Sequence, residues 1–284
     1  MYKIVRKKNL NPTVTQMEIE APLVAKKAKP GQFIILRVNE EGERIPLTVA
    51  GVNPEEGTTK IIFQIVGGTT ELLNHKEEGD YIQDFVGPLG VATEVEGLKK
   101  VCIVGGGVGC AIAMPIAQEL HEMGAEVTSI IGFRSKDIVI LEEEFKECSD
   151  RLFVMTDDGT YGRHGNVTVP LKEMLENGET FDAIITIGPL IMMKFVVLTA
   201  KPYNIPITAS MNPIMIDGTG MCGGCRLTLN QDGKKVTKFA CVDGPDFNGY
   251  EIDFDEAMSR GRMYAEFEKH AYEEACNLFK KEEA

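Results

Sequence analysis

The chain has 284 residues, 43% of them apolar, and carries 43 acidic against 30 basic side chains for a formal charge of −13. That length suits about two domains plus an appendage, and the acidic balance argues against nucleic acid as a partner, because no cationic surplus exists to meet phosphates. No run approaches a membrane span, Met1–Asn9 lacks the apolar core of a signal peptide, and seven cysteines without a disulfide pattern read as reducing-compartment usage, so the expected location is the cytoplasm.

Residues 1–97 carry the pattern of short strands divided by turns. Val14–Ile19 alternates at period two, Phe33–Val38 is a fuller apolar run, and Lys60–Val66 is another. Pro30-Gly31, Asn53-Pro54 and Gly87-Pro88 punctuate them, which predicts an antiparallel β barrel. Between two of the predicted strands stands Arg44-Ile-Pro46-Leu47-Thr48. A guanidinium forks onto phosphate, and a small hydroxyl can hydrogen-bond a ring nitrogen. Further on, Gly67-Gly68-Thr69-Thr70 is a glycine-rich turn leading into a short helical pattern, which can present amides and hydroxyls to a phosphate. The two segments together resemble the FAD-binding signature of the ferredoxin reductase superfamily, in which the arginine meets the flavin pyrophosphate and the hydroxyl sits near the isoalloxazine. Gly87-Pro88-Leu89-Gly90 is, by its own composition, only a turn; in that family it closes the barrel.

From residue 98 to about 210 the rhythm changes to alternating strands and helices. Strands are predicted at Lys100–Val104, Val127–Phe133, Arg151–Thr156 and Phe181–Ile187. Helices are predicted at Ala111–Met123, Ile140–Glu147 and Leu171–Glu176. The pattern is that of a doubly wound parallel-sheet nucleotide domain. Between its first strand and helix lie Gly105, Gly106, Gly107, Val108 and Gly109. The GxGxxG template asks for a further glycine at position 110, where this chain has cysteine; the strand–turn–helix context nevertheless fits a dinucleotide. No acidic residue for the adenosine ribose follows the second strand; Arg134 stands there, able to meet a ribose or a 2′-phosphate, so NAD(H) and NADP(H) both remain open. Asp157, Asp158 and Gly188 lie at further strand ends facing the same crevice, although the two aspartates also fit a solvated turn. Met192 and Met193 are expected to pack a helix.

The stretch 211–250 carries Asp217, Cys222, Cys225 and Cys241, with glycines at 218, 220, 223 and 224. This spacing resembles the ferredoxin-type pattern for a 2Fe-2S cluster, with aspartate in place of the first cysteine. Tetrahedral zinc in a Cys₃Asp set and a structural turn with incidental cysteines are the competing readings. Cys102, Cys110, Cys148 and Cys276 are expected to be free core thiols. The four histidines are too scattered for a metal or catalytic cluster, and no catalytic residue is assigned. Residues 251–284 read as one charged amphipathic helix, with Met258, Met263, Tyr264 and Phe267 on a face that packs on the body or meets a partner.

Barrel, nucleotide domain and trailing cluster, in that order, are similar to the ferredoxin reductase superfamily across nearly the whole chain. Two groups of electron-transfer subunits within it stand out. One is the iron–sulfur flavoprotein subunit of NAD-linked dihydroorotate dehydrogenase, which normally carries four cysteines on its cluster. The other is the small-subunit family of the NADH-dependent reduced ferredoxin:NADP oxidoreductases, electron-bifurcating transhydrogenases, which is similar in placing aspartate first. The Arg44–Thr48 motif and Asp253–Arg260 also resemble the second group, and that reading is adopted. The resemblance implies hydride exchange between nicotinamide and FAD, single-electron exchange with the cluster, and no general acid or base. It also implies a larger iron–sulfur flavoprotein subunit as partner, with ferredoxin reached only through the complex. A non-catalytic redox sensor, and an oxygenase reductase whose cluster is normally all-cysteine, are the remaining alternatives.

Overall fold

The computed structural model of the chain describes residues 1–282, with side chains through Glu273; Cys276 lies outside the described side chains. The first seven strands are β1 (Tyr2–Asn11), β2 (Val14–Glu20), β3 (Phe33–Arg37), β4 (Ile45–Asn53), β5 (Thr58–Gln64), β6 (Tyr81–Ile82) and β7 (Asp84–Leu89), with helices α1 (Pro22–Ala25) and α2 (Gly68–Asn74) between them. They form one antiparallel sheet in the order β6-β1-β2-β5-β4-β3-β7. Its two edge strands, β6 and β7, are joined through Gln83 alone, so the sheet curls into a nearly closed barrel. Alternate side chains point inward, and Ile4, Met17, Ile19, Ile34, Leu36, Ile61, Phe63 and Phe85 fill it.

Two expectations need correcting here. The Arg44–Thr48 motif does not stand between strands: Ile45–Thr48 is the first half of β4 and pairs with β3. Gly87-Pro88-Leu89 is not a turn but the end of β7, with a cis Gly87–Pro88 bond and Leu89 opposite Phe33.

The second sheet comprises β8 (Lys100–Gly106), β9 (Glu126–Phe133), β10 (Arg151–Thr156), β11 (Arg163–His164), β12 (Ala183–Ile187) and β13 (Ile207–Ser210). After a separate hairpin of β14 (Arg226–Gln231) and β15 (Lys234–Phe239), it is completed by β16 (Asp246–Asn248). The order is β11-β10-β9-β8-β12-β13-β16, parallel except for β16. Helices α3 (Cys110–Glu122) and α4 (Glu142–Glu147) share a core with one face, while α5 (Thr168–Glu176) and α6 (Leu190–Ala200) share one with the other. The central strand runs are largely apolar because both faces are covered: Val101 and Ile103 serve one core, Cys102 and Val104 the other.

The chain ends in α7 (Ala240–Asp243), α8 (Phe254–Gly261) and α9 (Ala265–Glu282). The single C-terminal helix expected from residue 251 is therefore two, parted by turns at Arg262–Tyr264. Asp253 caps α8 by accepting from the Glu256 amide, and Phe254 is buried beneath it, whereas Met263, Tyr264 and Phe267 are exposed. The backbone of α9 runs against α2. No helix among the described residues is long and apolar enough to cross a membrane.

Candidate functional site

The barrel is split at one place. β4 pairs with β3 through Ile45–Thr48 and with β5 only through Val49–Asn53, while β5 continues along β2 to Gln64. Beyond the Val49–Ile61 pair the two strands part, and both sequence motifs stand at that mouth: Arg44 leads into the parted end of β4, and Gly67–Thr70 follows the parted end of β5. Arg44 forms no ion pair among the described residues, and its Nε donates to the carbonyl of Ile216 at 2.7 Å. Gly67 has extended backbone (φ −156°), and a Cβ placed there would meet nothing within 4 Å. Neither a positive φ nor packing demands glycine at this position; it serves as the N-cap of α2 and leaves open space against the backbone. Thr70 serves the protein itself: its hydroxyl accepts from the Val66 and Gly67 amides and donates to the Gly67 carbonyl. That hydroxyl closes the first turn of α2 in the manner of a capping box.

The glycine turn Gly107–Gly109 lies against β5, so the nucleotide sheet presents its switch point to the split in the barrel. That crevice lies between β8 and β12, where strand order reverses. Gly105 and Gly106 end β8, and Gly107 turns the chain at φ +55°. Cβ atoms placed at Gly106 and Gly188 would collide with Met192, at 2.2 Å from Sδ and 2.8 Å from Cε respectively. Gly109 approaches the next strand most tightly: its Cβ would stand 2.5 Å from the Ile187 carbonyl oxygen. The close-packing glycine is thus residue 109, not the position 110 required by the template. Cys110 is fully buried on α3, and burial pushes its thiol well above its ordinary range.

At the carboxyl ends of β9 and β10, the Asp157 and Asp158 amides donate to the Phe133 and Arg134 carbonyls, joining the two strand ends. Arg134 is exposed and forms no ion pair among the described residues. Asp158 is consumed locally: its Oδ1 accepts from the Thr160 amide and hydroxyl, and those bonds hold its carboxyl below the usual range. The solvated-turn reading therefore fits Asp158, while the Asp157 side chain stays exposed. A cavity of about 520 Å³ borders the Val49–Asn53 half of β4 and the far half of α3, away from these motifs.

The cysteine loop gathers its donors two and two. Cys225 and Cys241 are buried with sulfurs 3.2 Å apart. Asp217 and the exposed Cys222 are joined differently: Asp217 Oδ2 accepts from the Cys222 amide at 2.6 Å, while Oδ1 accepts from the Thr219 amide at 2.6 Å. The Thr219 bond leads in holding the Asp217 carboxyl below its ordinary value, so it is an anionic donor. Burial first, then the neighbouring Cys225, pushes the Cys241 thiol up. No three His, Cys, Asp or Glu side chains among the described residues converge on one metal position. A two-iron cluster takes two protein donors on each iron, and a buried thiol pair beside an aspartate and an exposed thiol fits that number of donors. Cys102, by contrast, is buried in the sheet and its thiol is pushed up to about 12, which makes it a core side chain.

Comparison with known proteins gives consistent matches. The iron–sulfur cluster binding domain of dihydroorotate dehydrogenase B matches residues 212–253. The electron transfer subunit homolog of dihydroorotate dehydrogenase B (NAD(+)) from Thermotoga maritima is 48% identical over 273 residues, covering 96% of this chain and 95% of that protein. The corresponding subunit from Streptococcus pneumoniae is 31% identical over 250 residues, 86% of this chain and 97% of that protein. A chain from the NADH-dependent reduced ferredoxin-NADP oxidoreductase structure, described for flavin-based electron bifurcation, superposes with a TM-score of 0.89 at 48% identity, covering 96% and 97% of the two chains.

Proposed function

The chain belongs to the family of dihydroorotate dehydrogenase B electron-transfer subunits and their homologues, and on that premise we propose how its electrons move. It is an oxidoreductase subunit that passes electrons between NAD(H), FAD and a 2Fe-2S cluster within a flavin-based electron-bifurcating ferredoxin/NADP transhydrogenase. The observation that carries this reading is the end-to-end match to the ferredoxin-NADP oxidoreductase chain. FAD, when bound, supplies the conversion between a two-electron hydride donor and a one-electron cluster.

The chain's own residues divide the work. Arg44, Gly67 and the first-turn amides of Gly68 and Thr69 hold the flavin pyrophosphate, and Pro46, Leu47 and Thr48 line the split edge of β4 against the ring. Gly107, whose Cβ position is open, lets a dinucleotide approach the backbone at the Gly107-Val108 turn, while Gly105, Gly106, Gly109 and Gly188 let Cys110, Met192 and Ile187 pack closely enough to shape the crevice. Arg134 and Asp157 meet the dinucleotide's adenosine end. Asp217, Cys222, Cys225 and Cys241 would hold the cluster. Nothing in this arrangement calls for a general acid or base, as electron transfer alone requires none.

The chain carries one flavin site and one cluster loop, so a larger iron–sulfur flavoprotein is its partner and ferredoxin is reached through the complex. Around the exposed Cys222, Met221 is 89% exposed, Ile216 50% and Val242 45%, an apolar rim suited to such a subunit. The decisive assay is anaerobic titration with NADH and NADPH, alone and with the co-purified partner, recording flavin and cluster spectra. The chain alone is expected to reduce artificial dyes but not to link nucleotide oxidation to ferredoxin. Steady ferredoxin-linked transhydrogenation by this polypeptide alone refutes the assignment. Dihydroorotate-driven NAD reduction with the native partner would instead establish the second reading, whose cluster domain residues 212–253 resemble.

A further inference from the structure

One hydrogen bond crosses 172 positions of sequence and joins the two cofactor motifs: Arg44 Nε donates to the carbonyl oxygen of Ile216 at 2.7 Å. Ile216 immediately precedes Asp217. On the other side of Asp217, Gly218 sits at φ +78° with its backbone pressed on the barrel; a Cβ there would lie 2.7 Å from Leu89 Cδ1 and 2.9 Å from Ile35 Cδ1. The aspartate is thus framed by two contacts with the flavin barrel, at the residues immediately before and after it. Cys225 and Cys241, in contrast, flank the β14–β15 hairpin of the loop's own fold, with the Ala240 amide donating to the Cys225 carbonyl.

A guanidinium is planar and offers five N–H donors in fixed directions. With Nε on a carbonyl, both terminal nitrogens remain for a bidentate anion contact, and in Arg44 they have no carboxylate partner among the described residues. We propose that Arg44 positions the cluster loop as well as the flavin: by holding the Ile216 carbonyl it fixes Asp217, so the flavin barrel sets the geometry of the aspartate end of the cluster. This rests on the flavin and cluster assignments above and deepens them. It makes Arg44 a positioning residue for Asp217, acting through the backbone.

The test uses Arg44→Lys. A lysine keeps the charge for phosphate but offers one ammonium on a flexible stem, which cannot hold two acceptors in a rigid plane. Wild-type and variant chains are reconstituted anaerobically with iron, sulfide and saturating FAD; flavin absorbance, iron, acid-labile sulfide and the EPR spectrum of the reduced cluster are recorded. The control is Gly67→Ala, which obstructs the other flavin motif without touching Ile216. Arg44→Lys is expected to shift the EPR g values or lose iron even when filled with FAD, while Gly67→Ala, depleted of FAD, keeps the wild-type cluster spectrum. A wild-type spectrum in FAD-filled Arg44→Lys overturns the proposal, as does the same shift in both variants at matched FAD depletion. Should Arg44→Lys not fold, Gly218→Ala reads the same seat from its other side, and an unshifted spectrum there overturns the proposal too. Failure of the wild type to take up FAD and cluster, checked first, overturns the parent reading and the proposal with it.

Discussion

Replacing Gly109 with alanine tests whether the crevice between β8 and β12 is the nucleotide site. The added Cβ would stand 2.5 Å from the Ile187 carbonyl oxygen and 2.8 Å from Gly188 Cα, both backbone atoms that no rotamer change can move. Restoring an ordinary 3.4 Å contact needs about 0.9 Å of separation between the α3 entry and the end of β12. Overpacking of this kind costs about 1–3 kcal/mol, and at this chain length each kcal/mol lowers Tm by roughly 2–4 °C. A shift approaching 1 Å in a site that orients a reactant costs on the order of 100-fold in rate. The expected outcome is therefore a modest fall in Tm with a large fall in kcat/KM for NADH-driven flavin reduction. Gly124→Ala provides the comparison: φ is +84° there, nothing lies within 4 Å of the added Cβ, and the residue closes α3 far from the crevice. It costs about 1–2 kcal/mol of backbone strain and should leave hydride transfer at the wild-type rate. Wild-type NADH kinetics in Gly109→Ala, or an equal loss in Gly124→Ala, refutes the reasoning.

Other substitutions address the remaining parts of the site. Asp217→Cys should retain the cluster with an altered potential and EPR spectrum, because thiolate is a softer donor than carboxylate; Asp217→Ala leaving cluster content and spectrum untouched would remove Asp217 from the ligand set. Gly67→Leu should cost no more than about 1 kcal/mol of stability, the order of losing a favoured N-cap, since its Cβ position is open, yet lower FAD content sharply; normal FAD content would show that no ligand lies against this turn. Asp246 accepts from the Thr93 hydroxyl at 2.6 Å, and its Oδ1 is sealed from solvent without a partner. Burial raises its folded pKa above the ordinary 3.8, with the Ser210 and Thr93 bonds opposing. Its contribution to stability is therefore complete below the unfolded pKa and is lost as pH rises through the folded value. The difference in urea midpoint between wild type and Asp246→Asn should change across that window, and a difference constant with pH would show that the group does not titrate.

Much of the second sheet was legible because a strand covered on both faces must be largely apolar, as Val101–Val104 is throughout and Ile184–Ile187 is but for the buried Thr186. β1 was not legible: its ten residues include Lys3, Arg6, Lys7 and Lys8, and only Ile4 is fully buried. The strand is held by ladders to β2 and β6 rather than by apolar alternation. The flavin motif was legible in composition but not in placement, because a strand that changes partners at Val49 leaves no mark in hydropathy. Position 110 misled for a different reason. The template assigns the tight approach by spacing, whereas here a short 3₁₀ turn at Gly107–Gly109 brings Gly109 onto Ile187 and lets Cys110 be an ordinary buried side chain. Thr70, Asp158 and Asp217 share a further limit: a short polar side chain reads equally as a ligand contact or as a bond to its own backbone, and spacing carries no sign of the local bonds each of them makes.

The placement of the cluster loop follows from how the chain closes its second sheet. β13 ends at Ser210 and its antiparallel partner β16 begins at Asp246, so all four candidate ligands lie in the connection of one edge hairpin, whose base is tied by the Met211 amide donating to the Pro245 carbonyl. An edge strand would otherwise offer unpaired backbone to other chains; here β16 covers β13 and carries the loop outward. A connection of that length would be mobile if anchored only at its base. It is anchored elsewhere as well: Leu227, Leu229, Cys225 and Cys241 belong to the same core as Val196 and Ile207 of the nucleotide unit and Phe33 and Ile35 of the barrel. The Gly244 carbonyl also accepts from the Val91 amide, where the chain leaves the barrel. The loop is thus fixed to both sheets at once, and a rotation of one against the other would have to break the core that buries Cys225 and Cys241. For an electron carrier this matters more than for a hydrolase, because a one-electron step needs a fixed separation between donor and acceptor but no moving catalytic group. The shared core supplies that constraint from the nucleotide side, and the Arg44–Ile216 bond supplies it from the flavin side.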